Sequence, residues 1–220
     1  MPAAERTLRG GVGARVDSEV EVKRSRFLCR LVRVGTEDAA RSVVEDARRE
    51  HFNARHHCSA YVLGPASAPD QVRRSNDDGE PSGTAGRPML ETLTGRGFID
   101  CVAVVTRYFG GTLLGAGGLA RAYSDAVLTA IDDATAGGLV VERERRELFS
   151  LSLTHADAGR VESELRQRGV AILGTDYGQA AVLRMAADDA DGLAALVAGI
   201  TSGIGTVEPA GEEWIDVEPR

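Results

Sequence analysis

VVTRYFGGTLLGAGGLARAYSDA, Val104–Ala126, decides between two folds. Val104 and Val105, with Val102 before them, read as a strand. From Leu119 the apolar residues Leu119, Tyr123, Val127 and Ala130 or Ile131 recur at helical spacing, with Arg121 and Asp125 at i and i+4 on the exposed side. Between them Gly115–Ala120 satisfies the G-x-G-x-x-A of a dinucleotide fold. In that fold the strand runs straight into the glycines, whereas RYFGGTLL intervenes here and no further βαβ units follow. No Lys follows the glycines, so this is no P-loop either. The stretch is read as strand, glycine loop and helix of an α+β protein, with no dinucleotide cofactor. Its glycines either allow close packing and left-handed turns, or turn amides outward as an anion site near Arg107 and Arg121.

Upstream, Val16, Val20 and Val22 alternate with polar residues, and Phe27, Cys29 and Leu31 do so again, predicting two strands with a turn near Arg24 and Ser25. Thr36 is an N-cap, Glu37 and Asp38 follow it, and Ala40, Val43, Val44 and Ala47 form the apolar stripe of a helix ending near Glu50. CSAYVLG is a third strand. Ala66–Arg87 has no hydrophobic period and is expected to be a long functional or disordered loop, after which Pro88 starts a short helix. Before about Arg15 the chain is polar and Gly-rich, so residues 1–14 are expected to be a flexible leader.

Downstream, VVERERRE is a charged crossing between domains. From Leu148 the order is strand (LFSLSLT), helix (159–168), strand (VAILGT), strand (AAVLRMA), helix (190–200), strand (GTVEP to Trp214). That is the β-α-β-β-α-β order of a ferredoxin-like domain. The expected organisation is a leader over 1–14, one domain over 15–144 and a ferredoxin-like domain over 145–220.

The 220 residues carry 26 Lys and Arg against 33 Asp and Glu, a net charge of −7. That balance opposes non-specific attraction to polyanions unless the basic residues gather on one face. Cys29, Cys58 and Cys101 are odd in number, far apart and set in apolar runs, so they read as buried reduced thiols of a cytoplasmic protein. Neither a signal peptide nor a membrane span is seen.

Two local clusters invite chemistry. SNDDGEPSGTAGRPML, Ser75–Leu90, offers Asp77, Asp78 and Glu80 as cation ligands, but lacks the D-x-D-x-D-G spacing with a distant Glu. Consecutive acids in a turn more often cap amides or face water. Ser82 or Thr84 could be a nucleophile with His56 approaching in space, yet no G-x-S-x-G elbow is present. HFNARHHC sets His51, His56, His57 and Cys58 together, but no second segment supplies paired zinc ligands, and His56 and His57 must point to opposite faces of a strand. No metal and no cofactor are expected.

Taken together, ARHHCSAYVLG, NDDGEPSGTAGRPML and the opening stretch resemble the YigZ/IMPACT family in words, order and spacing. The resemblance spans most of residues 24–131 and implies the bacterial two-domain type. An N-terminal domain like the second domain of ribosomal protein S5 would precede a ferredoxin-like one similar to the last domain of translocating elongation factors. It places the family's acidic turn on Asp77, Asp78, Gly79, Glu80 and Pro81, and its small-residue turn on Gly83, Thr84, Ala85 and Gly86. The second motif falls on Arg107, Tyr108, Phe109, Gly110, Gly111, Gly115, Gly117, Gly118, Arg121 and Tyr123, and the histidine before the cysteine on His56. His57 stands where relatives often have Asn, and Leu113 and Leu114 replace a pair that in many relatives includes Lys. Eukaryotic IMPACT proteins regulate translation, but the RWD domain they carry in front is not expected here, and their partner is not carried over.

Three functions follow as expectations. The first is a non-catalytic cytoplasmic protein binding RNA, the ribosome or a translation-associated partner through both glycine-rich motifs, helped by Arg73, Arg74, Arg87, Arg107 and Arg121. The second is a small hydrolase with Asp78 or Glu80 as base, assisted by His56, and Gly115–Gly118 holding an oxyanion. The third is a protein-interaction module using the ferredoxin-like sheet.

Overall fold

The segment expected to be a leader contains a strand. In the computed structural model, which describes residues 4–219, Arg6–Leu8 forms β1 and pairs antiparallel with residues 140–142, Leu8 opposite Val140 and Arg6 opposite Glu142. Thr7 and Leu8 are buried. Three residues are too few to display an alternating pattern, and the partner lies far along the chain, so nothing local announced the strand. Residues 1–3 of the expected leader lie outside the described residues.

The described residues divide into two compact units, one running to Arg143 and resuming at Asp216, the other Glu144–Ile215. In the first, β2 (Arg15–Val22) and β3 (Ser25–Arg33) form a hairpin whose turn residues, Lys23 and Arg24, are both left-handed at φ 49° and 66°. Two positive φ angles give a turn whose twist matches that of paired strands. Next come α1 (Glu37–Glu50), with Thr36 Oγ1 accepting from the Ala39 amide, and β4 (His56–Leu63). The expected long loop is interrupted by β5 (Val72–Asn76), an edge strand paired with β4. Its sequence, VRRSN, is polar because an edge strand keeps charged residues toward water.

Then follow α2 (Gly86–Gly95), β6 (Cys101–Tyr108) and α3 (Gly115–Ala136), and the sheet order is β2-β3-β6-β4-β5. One sheet face, with Phe27, Cys58, Ala103 and Val105, packs on Met89 and Leu93 of α2 and Tyr123 and Val127 of α3. The other, with Val32, Val102 and Val104, packs on Ala40 and Ala47 of α1. A central strand covered on both sides must be apolar throughout, which is why CVAVV does not alternate. All three cysteines are free and buried. Burial pushes the Cys58 thiol up to about 12 and raises Cys29 and Cys101 too, so none is an active thiolate at neutral pH.

The charged crossing VVERERRE is itself strand: it opens β7 (Val140–Leu153), in which Val140 and Val141 are buried, and the boundary between the units falls within it. In the second unit β7 is followed by α4 (His155–Gln167), β8 (Ala171–Tyr177), β9 (Ala181–Ala187), α5 (Ala190–Thr201) and β10 (Val207–Val217). The pairing order β10-β7-β9-β8 gives the β-α-β-β-α-β arrangement read from the sequence. Leu151, Val161, Leu183 and Val197 are among its core residues. Among the described residues no helix is long and apolar enough to cross a membrane.

Candidate functional site

The three acids of the loop after β5 go in three directions, all inward. Asp77 accepts from the amides of Gly83 (2.8 Å), Ala85 (3.0 Å) and Gly86 (2.8 Å). Ala85, the N-cap of α2, has no capping side chain, so Asp77 supplies the cap from eight residues upstream. Burial acts to raise the Asp77 carboxyl, but the three amide donors together hold it below its ordinary value. Asp78, at φ 44°, accepts from the His57 amide (2.6 Å) and Arg48 Nη2 (2.5 Å), tying the loop to β4 and α1. Its carbonyl lies 2.9 Å from His56 Nδ1. A carbonyl only accepts, so Nδ1 carries the proton and Nε2 is left to other partners. Glu80 Oε1 accepts from Arg107 Nη1 (2.6 Å) and from the Tyr123 hydroxyl (2.8 Å).

Asp78 and Glu80, the two candidates for a general base, are therefore both engaged within the fold. Each carboxylate is held by donors of the protein. Thr84, offered as a nucleophile, is buried and donates to the Pro81 carbonyl at 2.6 Å. Among the described residues no three His, Cys, Asp or Glu groups converge as metal ligands.

The second motif begins where β6 ends. Gly110 is packed so closely on the hairpin turn that a Cβ there would stand 2.0 Å from the Arg24 carbonyl carbon, and its amide donates to Ser25 Oγ at 3.1 Å. Gly111 and Gly115 are left-handed, at φ 84° and 72°. Helix α3 starts at Gly115 and not Leu119, so Gly117 and Gly118 belong to its first turn and not to a loop before it. That turn has no capping side chain and no acidic residue, which leaves the positive end of a 22-residue helix uncompensated.

Arg107, one of the arginines expected to help bind RNA, is turned into the fold. Its side chain is 7% exposed, paired with a Glu80 side chain 3% exposed, and its guanidinium lies 5.6 Å from the ring centres of both Phe27 and Phe109. Its Nε is buried without a hydrogen-bond partner.

Beside the second motif lies an open cleft of 620 Å³, walled by residues 53–55 ahead of β4, His56 at its start, residues 107–109 at the end of β6, and Leu113. The register brings the two walls together, since His56 pairs with Arg107, and it sets Arg26 opposite Tyr108. Of the residues expected to bind, His56, Arg107 and Tyr108 line it directly. Glu80 supports Arg107 from behind, and Gly79 faces His56, whose Nδ1 would lie 3.6 Å from a Cβ there. Asp77, Gly83 and Gly86 build the loop itself. Arg121 is exposed on α3 and does not line the cleft.

Charge separates this end of the sheet from the rest of the unit. Among the described residues of the first unit, Lys23, Arg24, Arg55, Arg73, Arg74 and Arg121 form no ion pair, whereas cations such as Arg26, Arg30, Arg48 and Arg87 do. Lys23 and Arg24 sit in the β2–β3 turn, with Arg24 Nη2 3.4 Å from Thr112 Oγ1, and Arg55 lines the cleft. Three of the six therefore stand at the cleft end, while Arg73 and Arg74 lie along β5.

The same region carries the likeness to known proteins. The Impact N-terminal domain matches residues 23–131, which take in every residue of the cleft, and a domain of unknown function (DUF1949) matches 151–203. The IMPACT family member YvyE of Bacillus subtilis is 46% identical over 151 residues, 69% of this chain and 66% of that protein. The IMPACT family member YigZ of Escherichia coli is 40% identical over 168 residues, 76% of this chain and 79% of that one. The chain belongs to the IMPACT family. A crystal structure described as that of an hypothetical protein superposes on this IMPACT family chain with a TM-score of 0.60 at 33% identity, covering 97% of this chain and 100% of that one.

Asn53, Arg55, Phe109 and Leu113 were not named as binding residues from the sequence. Asn53 and Arg55 lie in HFNARHHC, where the three histidines drew the reading toward zinc and the family likeness drew it to His56. Their position directly before a central strand was the available signal, because the ends of strands present their flanking residues at a sheet end.

Proposed function

We propose that this protein is a non-catalytic RNA-binding member of the IMPACT family that acts on RNA of the translation machinery, the ribosome included. The observation that carries the reading is the gathering of unpaired Lys23, Arg24 and Arg55 at one end of the sheet of a protein whose net charge is −7. Most other cations of the unit are neutralised within the fold, so those left unpaired set where a polyanion is attracted. The uncompensated start of α3 adds positive potential of the same sign. No observation favours the hydrolase reading, because Asp78 and Glu80 are held by Arg48, Arg107 and Tyr123.

The test is fluorescence anisotropy with ribosomal RNA fragments across a salt series. About three phosphate contacts give a slope of about −2 to −3 in log affinity against log salt, and Lys23→Ala, Arg24→Ala, Arg55→Ala together flatten it and weaken binding at least tenfold. Absent or salt-independent binding overturns the reading. Nuclease-resistant capture of a protein from lysate, with no RNA affinity in the purified chain, replaces it with a protein-partner role.

A further inference from the structure

Resting on that RNA reading, we infer that the cleft takes an unpaired nucleotide, so that the protein selects single-stranded over duplex RNA. Phe109 is 57% exposed and Leu113 84% exposed, apolar surface set at the cationic end of the sheet. The Phe109 ring is backed by the Arg107 guanidinium at 5.6 Å, which is itself held by Glu80 and stacked against Phe27. An aromatic ring on so fixed a support is a stacking platform for a base, and stacking is indifferent to base identity because every base has a π face.

The other walls supply what the rest of a nucleotide needs. Asn53 Oδ1 takes the Tyr108 hydroxyl at 3.1 Å, leaving its amide N–H groups as donors. His56 turns Nδ1 to the Asp78 carbonyl, leaving Nε2 for a ligand. Unpaired Arg55 is at hand for a phosphate. The 620 Å³ is within the usual range of small-molecule clefts. A duplex keeps its bases stacked inside and offers only phosphates, sugars and groove edges. It satisfies the cations but offers no free base face to the Phe109 ring.

The experiment compares three probes by anisotropy: a single-stranded RNA 12-mer, its blunt duplex, and the same strand with abasic sites. The single strand binds at least tenfold tighter than either of the others. Phe109→Ala removes about tenfold for the single strand and leaves the duplex unchanged, while Phe109→Trp keeps the preference. Arg55→Ala weakens both RNA forms and lowers the salt slope by about 0.7. Circular dichroism confirms folding, which an exposed position such as Phe109 should not disturb. Equal binding of single strand and duplex with no effect of Phe109→Ala overturns this inference and leaves the RNA reading standing. Absence of binding to every RNA probe overturns both.

Discussion

Glu80 Oε1 stands 2.6 Å from Arg107 Nη1, and the two side chains seal each other from solvent beneath the cleft. The pair joins the loop after β5 to the end of β6, with the Tyr123 hydroxyl on the same oxygen at 2.8 Å. Glu80→Ala would leave the Arg107 charge buried without a counterion and is expected to cost about 3–5 kcal/mol. Glu80→Leu with Arg107→Met should recover most of the loss, because replacing both members of a buried pair is often nearly neutral. Urea denaturation of the two variants checks this. A Glu80→Ala protein within about 1 kcal/mol of the parent would show that the pair does not hold the loop.

Asp77 is expected to cost about 1–2 kcal/mol when changed to Ala, the range for removal of a helix cap. Its carboxyl is held below the ordinary value in the folded state, so its stabilisation is complete above the unfolded value near 3.9 and is lost as pH falls through the lower folded one. The stability difference between parent and variant should therefore be constant at neutral pH and shrink only below about pH 4. Thermal unfolding over an acid pH series measures it.

Gly110 and Gly117 should respond to alanine in opposite ways. At Gly110 the new methyl would strike the Arg24 backbone, which has no rotamer to move away, for a loss of about 3 kcal/mol. At Gly117 the space is open and φ is not left-handed, so alanine should stabilise α3 by about 0.5–1 kcal/mol. Melting temperatures of the two variants decide the matter.

His57 is buried with Nε2 3.2 Å from the His51 carbonyl. Burial pushes its imidazole below the ordinary value, outweighing the bond to His51. The unfolded chain therefore takes up a proton near pH 6.5 that the folded protein refuses, and stability should decline as pH falls from there through the lower folded value. His57→Gln should flatten this limb of the curve, and an NMR titration of the imidazole should place its midpoint below that of an exposed histidine.

Much of the architecture is legible in the sequence. Thr36 as a cap, the hairpin about Arg24, the central strand CVAVV and the second unit's β-α-β-β-α-β order all rest on signals within a few residues of one another. β1 and β5 were not legible, because RTL and VRRSN take their strand geometry from partners far along the chain. The glycines of GAGG were placed before α3 because their weak helix propensity concealed that the first turn needs no side chain of its own.

The sequence by itself determined most of the elements and their order, the burial of the cysteines and the two motifs that carry the family likeness, since hydrophobic period and turn chemistry act locally. Only the tertiary structure decided which partners their side chains take. It sent Asp77 to cap α2, Asp78 to Arg48 and Glu80 to Arg107, and left Lys23, Arg24 and Arg55 unpaired. A charged side chain reaches whichever partner the fold brings near. Glu80 and Arg107 are 27 residues apart, too far for local spacing to tell an acid that anchors a loop from one free to act on a ligand.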